Sequence, residues 1–419
     1  MASIAKSGTW TGRLAYFLFL MFLVSTLNMA DRQIIGIVAE PIKREFGLSD
    51  TLLGLLGGTA FALVYPPLGL PIARLADRFN RRNILAICLA FWSGMTALCG
   101  AATGFWSLLL ARAGVAAGEA GYAPCTHSLI ADEVDERYRA TAFAVLVTGI
   151  SAGGFLASAL GGYVAQEYGW RWAFAAIGIP GLLLALLVRL TVREPPRTVA
   201  PRGATAWSVY RRLLTNPAFS WCIAGSALHL VVTYGLGAWA VVWFVRGHDM
   251  PLATAGLALG GLGAVAGALG SFSGGLAGDW LARRDRRWLG WWPSITVLIA
   301  ALVGAPAFLT DNVALAIAGV TLAVFMNALY QPSTYALVQG VADPGARASA
   351  AALMIFAQNI VGLGLGPVAI GVASDALTPA MGEAGLGLAL AGVFLFNVLA
   401  CIAYFMAARF LRTKGNDDA

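Results

Sequence analysis

Charge is what this sequence has least of. Asp, Glu, Lys and Arg make up 12% of its 419 residues, against about 25% in soluble domains. Hydrophobic residues make up 59%, and the mean hydropathy is +0.74. A chain so poor in charge cannot cover itself with a water-facing surface. This excludes an ordinary soluble domain and fits a polytopic, all-α membrane protein. The apolar windows also lack the alternation of strands, which argues against a transmembrane β-barrel. Histidine is scarce, with three residues, and neither an HExxH nor a GxSxG run is present. An integral membrane enzyme would have no catalytic set to work with. The five cysteines, Cys88, Cys99, Cys125, Cys222 and Cys401, fall inside apolar runs. No pair has metal-ligand spacing, and no disulfide framework is implied. They read as small buried helix residues. No metal and no cofactor is expected.

The formal net charge of +7 does not point to nucleic acid, because the basic residues cluster in loops between apolar runs. Windows of about 20 apolar residues mark twelve spans, at 14–38, 52–72, 84–104, 106–130, 140–165, 171–190, 218–246, 254–279, 288–309, 313–340, 347–374 and 386–411. The first run is too long for a signal-peptide core and is expected to be retained. With both termini inside, the inner loops hold Lys6, Arg13, Arg74, Arg78, Arg81, Arg82, Arg137, Arg139, Arg283, Arg284, Arg286, Arg287, Arg347, Arg409, Arg412 and Lys414. The outer loops hold only Lys43, Arg44, Arg171 and Arg246. That asymmetry sets the orientation, with both termini cytoplasmic in a cell inner membrane. The expected organisation is a six-helix bundle over 1–190, a cytoplasmic linker over 191–217, and a second six-helix bundle over 218–419. Within the linker, WSVYRRLL reads either as a short amphipathic surface helix or as a plain connector.

The two halves repeat. ARLADRFNRR (73–82) follows span two and GLAGDWLARR (275–284) follows span eight, so that Asp77, Arg81 and Arg82 align with Asp279, Arg283 and Arg284 at an offset of 202 residues. Two sixes related this way suggest a duplicated transporter with its site between the halves.

These loops resemble the signature G-x-x-x-D-R-x-G-R-R of the major facilitator superfamily. The first copy departs from it at Ala73 and Asn80, and the second has Trp280 at the usual basic position. NMADR in span one, ADRFNRR, RAGVAAGEAGYAP in span four and WRWAF at 170–174 narrow the resemblance. So do YGLGAWAVVWFVRGHDM and QNIVGLGLGP in the second half. Together they resemble the Spinster family of proton-coupled lipid transporters, as a bacterial member. The organic anion and sugar-phosphate branch shares some of these elements but usually keeps glycine where Asn80 stands. The resemblance implies the major facilitator fold, with twelve transmembrane helices in two six-helix halves around a central cavity. It also implies an amphipathic, lysophospholipid- or sphingolipid-type substrate moved by alternating access. An organic anion or multidrug transporter of the same fold is the alternative. The expected partners are the substrate, protons and the bilayer, with no nucleic acid, and the chain is expected to act as a monomer.

The residues that carry chemistry are the charges inside spans. A charge at the bilayer centre costs about 2.5–3.5 kcal/mol on insertion scales, so Asp31 and Arg32 in span one need partners. Neighbours on a helix point roughly 100° apart. Arg112 and Glu119 in span four are seven residues apart, on one helix face. The four can form a neutral cluster. A carboxylate there can take a proton and release its arginine, with Asp31 the first candidate for proton coupling and Glu119 the second. Arg32 and Arg112 are then charge partners or hold an anionic head group. The competing reading is a structural lock between spans one and four. Asp77, Arg81, Arg82, Asp279, Arg283 and Arg284 read as a cytoplasmic gate, or else as charges that only set topology. Asn327, Tyr330, Gln331, Gln358 and Asn359 read equally as cavity lining or as contacts between helices. His127 and His229 read as proton carriers or as neutral, hydrogen-bonded residues. Trp239 and Trp243 could flank a lipid tail or face the bilayer. The glycines at 153, 154, 161 and 162, and the GLGLGP run at 362–367, lie in apolar spans with no strand before them. They read as helix-packing positions rather than nucleotide loops.

Overall fold

The computed structural model describes residues 12–135, 138–195, 206–343 and 346–411, and only the backbone of residues 70, 77, 140, 206–208 and 348. Lys6, Arg137, Arg412 and Lys414 of the topology argument lie outside the described residues. Every regular element among the described residues is helical.

By packing, the chain divides into two compact units, 1–42 with 63–200, and 43–62 with 201–419. This is not a simple division between sequence halves, because residues 43–62 fold into the second unit.

The first unit contains α1 (Gly12–Ile37), the first half of α2 (Ala39–Phe46) up to residue 42, and most of α4 (Ala60–Arg78) from residue 63. It also contains α5 (Arg81–Cys99), α6 (Phe105–Glu119), α7 (Tyr122–Glu133), α8 (Arg139–Leu156), α9 (Gly162–Tyr168) and α10 (Trp170–Thr191). Helix α1 packs on α8 and α10, and α5 packs on α10 and α6. Close approach of α1 and α8 depends on Gly153, where a Cβ would sit 2.2 Å from the Thr26 carbonyl oxygen. A π-helical turn, Ala157–Gly161, joins α8 to α9.

The fourth span is broken. Where the apolar run predicts one helix over 106–130, α6 ends at Glu119 and α7 begins at Tyr122. Pro124 has no N–H to give the carbonyl one turn earlier, which accounts for the interruption. Among the described residues, eleven helical stretches, several of them joining two or three of these elements, are long and apolar enough to cross a membrane; α6 and α7 together cover the expected fourth span.

The second unit takes the end of α2 and then α3 (Asp50–Gly54), which continues through a π turn at Leu55–Thr59 into the first residues of α4. After α11 (Ala206–Thr215) come α12 (Pro217–Gly247), α13 (Leu252–Arg284), α14 (Trp288–Ala307), α15 (Val313–Ala328), α16 (Gln331–Val341) and α17 (Arg347–Ala357). They are followed by a π turn at Gln358–Leu363, then α18 (Gly364–Met381), α19 (Ala384–Val393) and α20 (Leu395–Arg409). Helix α12 starts sharply because Asn216 caps the amides of Ala218 and Phe219 while Pro217 opens the first turn. It packs on α18 and α20, and α14 packs on α15 and α20. Phe219, Cys222, Val297, Leu337, Met354 and Tyr404 are fully buried in the core between them.

Candidate functional site

Inside the first unit, the four intramembrane charges come together. Asp31, Arg112 and Glu119 are each at most 1% exposed. Arg32 Nε donates to Glu119 Oε2 at 2.6 Å, and the Arg32 guanidinium lies 4.6 Å from the Tyr65 ring centre. Arg112 Nη1 donates to the backbone carbonyl of Asp31 at 2.9 Å. The step of about 100° between successive helix residues explains the split. Asp31 turns into the unit, where its surroundings include Glu119, Arg112, Thr96 and Trp92. Arg32 turns to a side where a fifth of its side chain remains exposed.

The cluster is incompletely hydrogen-bonded. Asp31 Oδ1, Glu119 Oε1, Arg112 Nε and Ser93 Oγ are buried with no hydrogen bond among the described residues, while Asn28 and Trp92 approach the Glu119 and Asp31 carboxylates only loosely. Native interiors leave few such atoms. Here they include atoms of all three fully buried members of the quartet. Spacing had indicated the four charges. It had not indicated Asn28, Trp92, Ser93 or Thr96, whose residue types are ordinary in apolar helices.

The two repeated loops have different surroundings. Arg81 is 3% exposed. Its guanidinium donates to Asp132, to Glu194 at 2.7 Å, to Ser128 Oγ at 2.8 Å and to the Pro195 carbonyl at 3.0 Å. Glu194 also accepts from the Arg82 amide at 3.0 Å, which ties the start of the linker to the start of α5. Asn80 caps α5 by accepting from the Asn83 amide at 2.9 Å, a service that glycine has no side chain to perform. Asp77 lies in α4. In the second loop, Asp279, Arg283 and Arg284 are exposed, and Arg284 stacks 3.8 Å from the Trp280 ring centre.

The polar residues of the second unit form a neutral network. Asn397 Nδ2 donates to Asn327 Oδ1 at 3.1 Å, and Asn397 Oδ1 lies 2.9 Å from His229 Nδ1. With Asn397 Oδ1 an acceptor, His229 carries its proton on Nδ1. His229 stacks on Tyr330 with ring centres 4.1 Å apart. Asn327 and Tyr330 are thus buried within the unit's own packing, and Gln331 is exposed. Gln358 donates to Ser226 Oγ at 2.7 Å. Asn359 donates to the Ile355 carbonyl at 2.8 Å while its Oδ1 is left unpaired. His127 is exposed and meets Phe143 edge to face. Trp239 and Trp243 are buried, with Trp239 Nε1 donating to the Pro367 carbonyl at 2.8 Å.

The sequence model of the Major Facilitator Superfamily matches residues 21–367. The chain belongs to that superfamily. The protein is a transporter and not an enzyme, a multi-pass membrane protein of the family's all-helical fold. An MFS-type efflux pump of Mycolicibacterium smegmatis is 34% identical over 395 residues, covering 93% of this chain and 92% of that protein. Protein spinster homolog 1 of Xenopus tropicalis is 29% identical, covering 85% of this chain and 72% of that one. A crystal structure of a bacterial homolog of the human lysosomal transporter Spinster, inward-facing and unoccupied, superposes with a TM-score of 0.87. It is 31% identical and covers 96% of this chain and 98% of its own. Within the superfamily the chain is Spinster-like.

Proposed function

We propose that the protein is a secondary transporter that couples proton movement to the passage of an amphipathic, anionic lipid or lysolipid by alternating access. It sits in the inner membrane as a monomer with both termini cytoplasmic. The observation that carries the proton reading is the quartet in the first unit, two carboxylates and two guanidinium groups buried together with several polar atoms unpartnered. Burying an ionised carboxylate is costly unless it is well paired, and taking a proton removes its charge. Glu119 has an arginine on one oxygen. Asp31 receives no arginine hydrogen bond on its carboxylate, only one on its backbone. Asp31 is therefore the proton carrier, and Glu119 holds Arg32 until the local charge changes. An anionic head group then competes for Arg32, the more exposed of the pair. The paired loops at 73–82 and 275–284 act as the cytoplasmic gate, and Gln331, Gln358 and Asn359 serve the polar part of the substrate.

The lipid reading rests on the motif resemblance to the Spinster family, and the similarity to Spinster homologs is consistent with that resemblance. The alternative is an organic anion or multidrug transporter, and the similarity to an efflux pump of Mycolicibacterium smegmatis keeps export of another substrate class in view. Proteoliposomes loaded with lysophospholipids or with small carboxylates separate the two. Transport of carboxylates with neither transport of nor competition by lysolipids sinks the lipid class. In the same vesicles, Asp31→Asn retains substrate binding but no longer responds to an imposed proton gradient. A wild-type response in that variant moves the role to Glu119 or removes it.

A further inference from the structure

Helices α14 and α20 of the second unit pack antiparallel. Near the start of α14, a Cβ on Gly290 would lie 2.8 Å from that of Ala408 and 2.8 Å from the Tyr404 carbonyl oxygen, both near the end of α20. Near the end of α14, a Cβ on Gly304 would strike the Phe394 ring, just before α20 begins. Between these points Ser294 Oγ donates to the Cys401 carbonyl at 2.8 Å. The facing positions are therefore 290 and 294 on α14, and 401, 404 and 408 on α20.

The residues one step further along each helix form a different surface. Trp291 and Ile295 follow Gly290 and Ser294, while Ile402, Phe405 and Arg409 follow Cys401, Tyr404 and Ala408. One residue turns a helix by about 100°, always in the same sense along the chain. Because these two helices run in opposite directions, both steps turn to the same side of the pair. Two stripes thus share one face. On α14 the stripe is Arg287, Trp291, Ile295 and Leu302; on α20 it is Leu395, Val398, Ile402, Phe405 and Arg409. Ile295, Leu302 and the whole α20 stripe are exposed, Leu302 and Leu395 each to 67%.

Each stripe ends in an arginine, at the same end of the pair, and each arginine lies over a ring. The Arg409 guanidinium is 5.5 Å from the Phe405 ring centre, and that of Arg287 is 5.0 Å from the Trp291 ring centre. Trp288 meets Trp291 edge to face at 5.6 Å. A guanidinium resting on a ring uses its flat face and keeps its in-plane N–H donors for an anion. Arg287 also pairs with Asp285 at 3.0 Å, yet its side chain stays 39% exposed. Asp285 balances one of the two charges, so this end remains basic. Arg81 in the first unit differs, because it spends its donors on Asp132, Glu194, Ser128 and Pro195.

We propose that this face of α14 and α20 holds an anionic phospholipid, with its phosphate on Arg287 and Arg409 and its acyl chains along the two stripes. The lipid is a bound partner and not the transported substrate. Exposed apolar stripes suit any lipid; arginines at their ends select a head group of net negative charge. The aromatic rings below the arginines match the depth at which such side chains favour the head-group layer. The orientation argued from basic residues puts this end in the cytoplasmic leaflet. The leaflet, though not the site, rests on that proposed orientation.

Native mass spectrometry of the protein in a nonionic detergent tests the site. Offered equal amounts of phosphatidylglycerol and phosphatidylcholine with the same chains, the protein retains the first at least about fivefold more. Arg287→Gln with Arg409→Gln loses that preference. Arg189→Gln, which removes an exposed arginine from the last turn of α10, keeps it. Equal retention of the two lipids, or a preference unchanged in the double variant, overturns the proposal. An equal loss in Arg189→Gln also overturns it, by reducing the effect to overall charge. So does a wild-type dimer that sheds lipid, which makes the face an interface between copies. A second measurement needs no variant. In liposomes, phosphatidylglycerol with a photoreactive acyl chain labels peptides of α14 and α20 above all others, and the same pattern from the phosphatidylcholine analogue counts against the site. Neither readout depends on transport. Sidedness is read separately, from Phe410→Cys in a background with the five native cysteines replaced. If that cysteine reacts with an impermeant reagent from outside while the lipid binds as stated, the site stands in the other leaflet and the orientation fails.

Discussion

The two units put different chemistry in their interiors. The first buries Asp31, Arg112 and Glu119 and draws Arg32 against them. The second fills the interior of its 218–419 helices with His229, Asn327, Asn397, Tyr330, Thr334 and Tyr404, a neutral set of donors and acceptors; its one buried carboxylate among the described residues, Asp50, comes from residues 43–62. At the offset that relates the halves, Asp31 and Arg32 correspond to Thr233 and Tyr234. Thr233 Oγ1 lies 3.3 Å from His229 Nε2, so a neutral contact stands where the first unit has a charge. A duplicated fold does not need duplicated chemistry. On the proposed reading the first copy changes charge state, while residues 218–419 keep a neutral polar interior among the described residues.

Four substitutions bear on that contrast. The largest effect is expected for Glu119→Ala, which strands Arg32 and costs about 3–5 kcal/mol of stability in detergent unfolding, with loss of the proton response. Arg81→Ala comes next at about 2–3 kcal/mol, since Asp132 and Glu194 keep some access to water when their partner leaves. Asn397→Ala removes a buried amide from a neutral network and costs about 1–3 kcal/mol. It also leaves the pH dependence of transport unchanged. If it costs as much as Glu119→Ala, or moves the pH profile, the distinction between the interiors collapses. Arg283→Ala, on the exposed second loop, changes stability by no more than about 0.5 kcal/mol. A cost equal to that of Arg81→Ala would mean that the two loops are built alike after all.

Much of this was legible in the residue order. Apolar runs of membrane length carry their own signal, and among the described residues eleven of the twelve form helical stretches long enough to span a membrane. The quartet was legible too, because charges inside such runs must find one another. Helical period tells which residues share a face but not which neighbouring helix that face meets. The pairing of Glu119 with Arg32, and of Arg112 with the Asp31 backbone, was therefore open. The hydrogen bond from the Asp50 amide to Asp375 joins positions 325 residues apart, and neither belongs to a repeat. The break after Glu119 had a visible cause in Pro124, masked by the unbroken hydrophobicity around it.

The π turns hold a record of how the two halves came to differ. Each is a helix with one residue more than a regular turn accommodates. Those at Ala157–Gly161 and Gln358–Leu363 occupy matching places under the 202-residue offset. The simplest history puts that insertion in a single ancestral half, before it was copied. The turn at Leu55–Thr59 has no such twin, because the matching stretch of α13 is regular helix. On that history, the widening shared by spans five and eleven is older than the protein's twelve-span form. The irregularity in span two, like the charges in span one, belongs on that history to the later specialisation of one copy.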